Sequence, residues 1–230
     1  MTFLELVRDL ARETGTLAGG VNLSTVISVN GRADKLVNWV QSAWTNIQND
    51  QRDWLWMRRE FTGTISAGAS RFTPASFDLD RVAEWRGDWD RPSMWMYDPL
   101  IGSSDAANIL QIDYDEWRYR YAHRPGDMNR PSVWAISPQN ELVFGPTPVR
   151  DYTISGEYQA TPQILVEDND IPEMPVRFHK LITLEAARLL NLADGAYDAM
   201  QAVAQEVVTL REQLKREQLE PIRDASGSIG

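Results

Sequence analysis

The chain has no cysteine and two histidines, His123 and His179, among 230 residues. The first absence excludes disulfides, thiol nucleophiles and Cys-type zinc sites. The second leaves too few imidazoles for a multi-histidine centre, so neither a metal nor a cofactor is expected. Lysine is scarce too, at 3 against 20 arginines. There is no GxxxxGK[ST] phosphate loop, no GxGxxG after a strand and no GxSxG elbow. No apolar run approaches the roughly 18 residues of a membrane span, and no membrane partner is expected. The opening MTFLELVRDLARETG lacks the basic and apolar regions of a signal peptide. That points to a protein made in the cytoplasm.

What is present is a globular composition, 43% hydrophobic and 24% charged. Such a chain can fold as one large domain or two small ones. Net charge is -10, and residues 70–175 carry 18 acids against 9 bases. A nucleic-acid binder needs the opposite sign. The acidity fits a solvated surface, or a wall that faces DNA without gripping it. The nine tryptophans suit cores and interfaces. The arginine excess fits either a contact-rich surface or genomic base composition.

Phe3, Leu6, Val7 and Leu10 predict a helix over 2–14, closed at Gly15. A polar stretch over 15–30 predicts a loop. Leu36, Val37, Val40, Ala43, Trp44 and Ile47 mark the buried face of a second helix over 31–50. From Trp54 the period changes, and WLWMRREFTGTISAG reads as a strand and turn. Aromatic strands follow through DRVAEWRGDWDRPSMWMYDPL. IDYDEWRYRYA predicts a helix over 112–122, started by Asp113 or Asp115, with Trp117 and Tyr121 paired on one face.

RPSVWAISPQNELVFGPTP predicts a hairpin fenced by Pro131 and Pro146, with Ser137-Pro138-Gln139-Asn140 as a type I turn. Tyr152, Ile154 and Tyr158 share one face of the next strand. EDNDIPEMP is an acidic approach to a helix over 177–192, where carboxylates would complement the helix start. A last helix runs from Tyr197 to about Leu219, and Pro221 stops it. Phe3, Leu6, Val37 and Trp44 are expected to meet Phe178, Leu189, Met200 and Val207. The fold class is therefore α+β: a helical bundle from the N- and C-terminal helix pairs, with an inserted, mostly antiparallel β domain. The expected divisions are 1–54, 55–165, 166–219 and an extended tail over 220–230.

Few residues suggest chemistry. His179 reads as a helix-surface or interface residue. The pairs Asp78/Asp80, Asp88/Asp90 and Asp113/Asp115, and the group Glu167, Asp168, Asp170 and Glu173, read as turn residues rather than calcium ligands. A glycosidase-like carboxylate pair is an alternative that so acidic a chain leaves open. No catalytic residue is assigned, and the aromatic load favours a protein whose work is contact.

Three segments in order, IDYDEWRYRY, RPSVWAISPQNELVFGPTPVRDYTISGEYQATP and IPEMPVRFHKLITLEAARLL, carry a resemblance. Over residues 108–192 the chain resembles the phage head-to-tail adaptor, or connector, proteins, similar in layout to the tail tubular protein A of short-tailed phages. The shared features are an aromatic-rich helix, a hairpin with Pro-x-x-Trp-Ala-Ile, a strand ending in Pro-x-Pro, and Pro-Glu-x-Pro-x-x-Phe-His before a helix.

The resemblance implies a non-enzymatic virion protein at the head–tail junction. It would form a ring, usually of twelve copies, under the portal. That ring would extend the DNA channel and give the tail its platform. The implied partners are the portal protein, a tail or nozzle protein and further copies of the chain, with DNA passing unbound. It also implies a portal-gripping C-terminal tail, with Ile222 and Ile229 as anchors and Arg223 paired to a carboxylate. The alternatives are a tail-associated glycan-cleaving enzyme and a carbohydrate-binding module.

Overall fold

A computed structural model describes residues 1–15, 23–87, 93–124 and 126–219. The helices and strands, in chain order, begin with α1 (Phe3–Glu13), α2 (Arg32–Asn49), β1 (Arg58–Ile65), β2 (Arg71–Phe72), β3 (Val82–Arg86), β4 (Met94–Tyr97) and β5 (Ala107–Gln111). Then come α3 (Tyr114–Trp117), β6 (Met128–Asn129), β7 (Val133–Ile136), β8 (Leu142–Gly145), β9 (Thr147–Pro148), β10 (Tyr152–Ala160), α4 (His179–Ala193) and α5 (Tyr197–Gln218). The protein is mixed α+β, with five helices and a large, mostly antiparallel sheet among the described residues. No described helix is long and apolar enough to cross a membrane. Two compact units separate: Met1–Met57 with the chain from Pro162, and Arg58–Thr161.

In the first unit, α4 touches α1, α2 and α5. Leu181 through Ala187 and Leu190 are all buried, so α4 has almost no solvent face. Ala186 and Ala187 let neighbouring backbones approach closely. The periodic residues named from the sequence in α1 and α2 are all buried. Thr2 and Glu5 form a capping box that starts α1. Phe3, Leu6, Val37, Trp44, Phe178 and Val207 share one core, and Leu189 lies at its margin. Met200 is not among the residues of that core. It lies in the first turn of α5, whose buried residues are Val207 and Leu214, further along.

Trp54 and Trp56 also belong to this core, their rings stacked 4.2 Å apart. Residues 55–57 form a 3₁₀ turn, and the strand expected from Trp54 begins at Arg58. The apolar run there is helical-core filling, which short runs cannot distinguish from a strand.

A strap over 162–176 is sewn to the helices. Gln48 exchanges two hydrogen bonds with the Gln163 backbone (3.0 and 2.7 Å), and Gln41 donates to the Leu165 carbonyl at 2.8 Å. The Asp168 and Asp170 carbonyls accept from the first amides of α1, at Leu4 (3.2 Å) and Phe3 (2.7 Å). The Asp168 carboxylate takes the Val26 amide at 2.6 Å, and Asp170 takes those of Val166 and Glu167. The acidic approach therefore does not complement the start of α4, whose first turn has no acid. The carboxylates of Asp168 and Asp170 serve their own turn and the 25–26 loop.

The second unit is built on β10. Over its length β10 pairs with β1 on one side and with β4 and then β3 on the other. The path runs β1-β10-β4-β5-β7-β8-β2, antiparallel except for β5–β7; β6 and β9 form a separate parallel pair.

The hairpin β7–β8 turns as its sequence predicts. The Asn140 amide donates to the Ser137 carbonyl at 2.9 Å, and Asn140 is left-handed at φ 60°. Its two faces feed two cores. Trp134, Leu142 and Phe144 join Tyr152, Ile154 and Tyr158, while Val133, Ala135 and Val143 pack with Trp117. Asp113 caps α3, which continues as a π turn over Arg118–Ala122. Tyr121 then lies against Gly145, where a Cβ would come within 2.5 Å of the ring.

Trp44 is 1% exposed at the centre of the first core. Trp44→Ala should destabilise the protein by about 3–5 kcal/mol. A urea midpoint unchanged by the substitution would remove Trp44 from that core.

Candidate interaction surface

Two of the segments that carry the family resemblance, the short helix and the hairpin, form a locked module with β2. Arg71 on β2 lies over the rings of Trp117 (5.0 Å) and Tyr114 (5.8 Å). It donates to the Tyr114 hydroxyl at 3.0 Å and pairs with Glu141, beside the hairpin turn, at 3.0 Å. Ser137 receives the Glu141 amide on its hydroxyl at 3.1 Å. Hairpin, short helix and edge strand are thereby fixed as one body.

His179 is the conspicuous correction. It is not a surface residue: it is fully buried, with Nε2 donating to the Met174 carbonyl at 2.9 Å. That bond makes Nδ1 the acceptor, and the Met1 amino group donates to it at 2.9 Å. The imidazole staples the Pro-Glu-Met-Pro turn to the head of α4. Burial is the leading cause that pushes its pKa below the usual histidine value.

Carboxylates singled out from the sequence take cap and turn positions. Asp78 caps a 3₁₀ turn in left-handed geometry, and Asp113 caps α3. Asp88 and Asp90 lie outside the described residues, as do Ile222, Arg223 and Ile229. No group of three or more His, Asp or Glu side chains that could hold a metal occurs among the described residues.

A surface that the sequence reading passed over sits at one end of the sheet unit. In the β1–β10 ladder Arg58 faces Gln159, and Ile65 faces Tyr152. The chain enters and leaves the unit at the first of these ends. The other end carries the loop over 98–106, where Leu100 is 87% and Ile101 62% exposed. Val149 and Met128, also exposed, belong to the same end, because the Val149 amide bonds the Asn129 carbonyl and β6 pairs β9.

This apolar tip is mounted on charge. Asp98, 3% exposed, pairs with Arg150 at 2.9 Å and accepts the Leu100 amide at 2.9 Å. Its carbonyl accepts from Ile101 and Gly102. Asp105 takes the Asp98 amide at 2.9 Å and pairs with Arg130 at 2.8 Å. Arg130 continues to the Met96 and Asp105 carbonyls and over the Tyr152 ring. Arg130 also holds the Asp105 carboxyl below the ordinary aspartate range. The signal was legible: an aliphatic pair in a turn, between Pro99 and Gly102, has no core to fill.

A second feature lies in the helical unit. Arg177, Phe178, Leu210, Gln213, Arg216 and Glu217 line a groove of about 500 Å³ beside the last turns of α5. Arg177 pairs with Glu217 across it and lies over the Phe178 ring at 5.1 Å.

Rigid cores, a braced apolar tip and an open groove define a protein built for contact. The model of the SU10 adaptor protein family matches residues 1–226, and the chain belongs to that family. It is a phage adaptor, with a structural role in the virion. No curated protein matches the chain.

Two measurements follow. Because burial lowers the His179 pKa, the unfolded state binds the extra proton first. The neutral ring's contribution is present above about pH 6.5 and is lost as pH falls towards the lowered folded value. The urea midpoint should therefore drop between pH 7.5 and 5.5. His179→Gln should flatten that slope, and an unchanged slope would place the titration elsewhere. At the tip, Leu100→Glu combined with Ile101→Glu should shift stability by no more than about 0.5 kcal/mol, as for surface positions. A larger loss would mean that these side chains support the fold.

Proposed function

We propose that the protein is a head-to-tail adaptor, assembling as a ring of twelve copies beneath the portal of a DNA-filled capsid. In this reading the ring extends the DNA channel and presents the attachment platform for a tail or nozzle protein. The observation that carries it is the exposed Leu100–Ile101 tip, braced by two Arg–Asp pairs, in a chain of the adaptor family. Ring contacts are heterologous, so one surface of each copy meets a different surface of the next.

The paired terminal helices, acting as a bundle, would supply the ring wall. The β-rich stretch over 55–165 would supply the outlying contacts. The acidic excess over residues 70–175 supports a conduit through which DNA passes without specific binding. The tail over 220–230 would grip the portal through Ile222, Arg223 and Ile229. A glycan-cleaving or glycan-binding role has less support. Trp44, Trp54, Trp85, Trp117 and Trp134 are fully buried, which leaves Trp95, 46% exposed, as the exposed tryptophan among the described residues and no cluster of them for a sugar platform.

The test mixes purified protein with portal rings and measures particle mass. The expected result is small species alone and a ring with the portal, with assembly lost on deletion of residues 220–230. Failure of the full chain to join the portal would overturn the reading. Assembly of the truncated chain at the same concentration would move the anchor from the tail to the helices.

A further inference from the structure

We propose that the strap over 162–176 of one copy docks in the α5 groove of the next copy, as the repeated contact of the proposed ring, on which reading the inference rests. The strap carries an apolar stripe that its own copy leaves uncovered. Along its first arm Leu165 is buried, while Ile164 and Val166 alternate outward, 74% and 57% exposed. The Gln163 side chain ties the second arm back, donating to the Ile171 carbonyl at 2.9 Å and accepting the Glu173 amide at 3.0 Å. That brings Ile171, also exposed, beside the first arm. Gln41, Gln48 and the first amides of α1 hold the strap down, so the stripe is formed before a partner arrives.

The charges of the two surfaces are opposite. Residues 162–176 hold four acids, Glu167, Asp168, Asp170 and Glu173, and no lysine or arginine. The groove has an apolar floor in Phe178 and Leu210, and Arg177 and Arg216 outnumber Glu217 on its rim. Glu167 is exposed on the strap and Arg216 on the rim, and neither has an ion-pair partner among the described residues. Position then selects a second copy as the occupant. Gln48 and Asp50, at the end of α2, face opposite ways: Gln48 holds the strap, and Asp50 meets Arg211 and Lys215 of α5. On α5 those two bases lie to one side of the buried pair Val207 and Leu214, and Leu210, Gln213 and Glu217 lie to the other. Strap, α2, α5 and groove therefore follow in order across the helical unit at one level. The apolar stripe and the groove sit on opposite flanks, and joining one flank to the other flank of a neighbour is the heterologous contact that a closed ring requires.

The absence of cysteine makes a disulfide trap specific. Full-length Val166→Cys and Gln213→Cys chains, one of them carrying a mass tag, are mixed at high concentration and mildly oxidised. Mixed dimers should form in excess of both like dimers, read by mass and by mobility without reductant. Replacing Gln213→Cys by Lys35→Cys moves the thiol to the start of α2, near the far end of α4, where Arg32 pairs with Asp194. That mixture should stay largely reduced. Glu167→Arg on the strap chain should lower the mixed yield, by up to about five-fold for one exposed ion pair, and Arg216→Glu on the groove chain should restore it. Like dimers in excess, equal yields with Lys35→Cys, or no mixed dimer would each overturn the proposal. Portal-bound rings that form without trapping the mixed pair would overturn it too. Mixed dimers from chains that fail to join the portal would support the contact and remove only the portal reading.

Discussion

A helix buried around most of its circumference cannot exist alone in water, and α4 is such a helix. Its burial is the constraint on which the helical unit depends. Leu181, Ile182, Leu184 and Leu190 need apolar partners in several directions, and α1, α2 and α5 provide them. These covering helices come from both sides of α4 in the chain. Residues 1–57 must therefore be in place with the chain from Pro162, whatever lies between. Closing a longer intervening loop costs little, about 0.6 kcal/mol per doubling of length. An independent sheet unit can occupy that interval without weakening the helices around it.

The same burial creates an electrostatic obligation. Glu185 is 3% exposed on α4, a position that disfavours an unpaired carboxylate. Arg188 meets it with two hydrogen bonds of 3.0 and 2.7 Å, and Arg211 approaches from α5 at 3.5 Å. Arg211 and Lys215 also reach Asp50, at the end of α2. This network ties the rotation of α5 to α4 and α2, because a turn of α5 would withdraw Arg211 from Glu185 and both Arg211 and Lys215 from Asp50. The last turns of α5, and so the groove they line, are held by these ion pairs to α4 and α2.

Legibility in the sequence tracked local physics. Periodic apolar faces in α1 and α2, the Ser-Pro-Gln-Asn turn and the Asp113 cap are set by neighbours a few residues apart, and each could be read directly. Trp54–Met57 could not, since a short aromatic run serves a strand or a helical core equally. His179 looked superficial, standing beside Phe178 and Lys180 at the start of a helix. Its burial depends on Met174 and Met1, the latter 178 residues away in the chain. Asp168 and Asp170 looked like a charge gradient for α4. Their partners at Val26, Phe3 and Leu4 are tertiary, and no spacing rule announces them. The tip at Leu100 and Ile101 was legible but was absorbed into the reading of a strand region.

That tip carries a quantitative argument about assembly. Burying a large aliphatic side chain is worth about 1.5–3 kcal/mol, so two of them provide roughly 3–6 kcal/mol. Bringing two proteins together costs an estimated 4–15 kcal/mol in lost freedom, so one tip alone holds a partner weakly. The brace of Asp98, Asp105, Arg130 and Arg150 removes one further cost, the ordering of the loop on binding. Weak contacts suit a subunit that must remain separate before assembly. Once several copies stand on one platform, as in the proposed ring, the remaining contacts become intramolecular and their effective concentration rises steeply. In the proposed ring, an apolar tip this small would give little affinity to a single copy and a firm grip to a set of them.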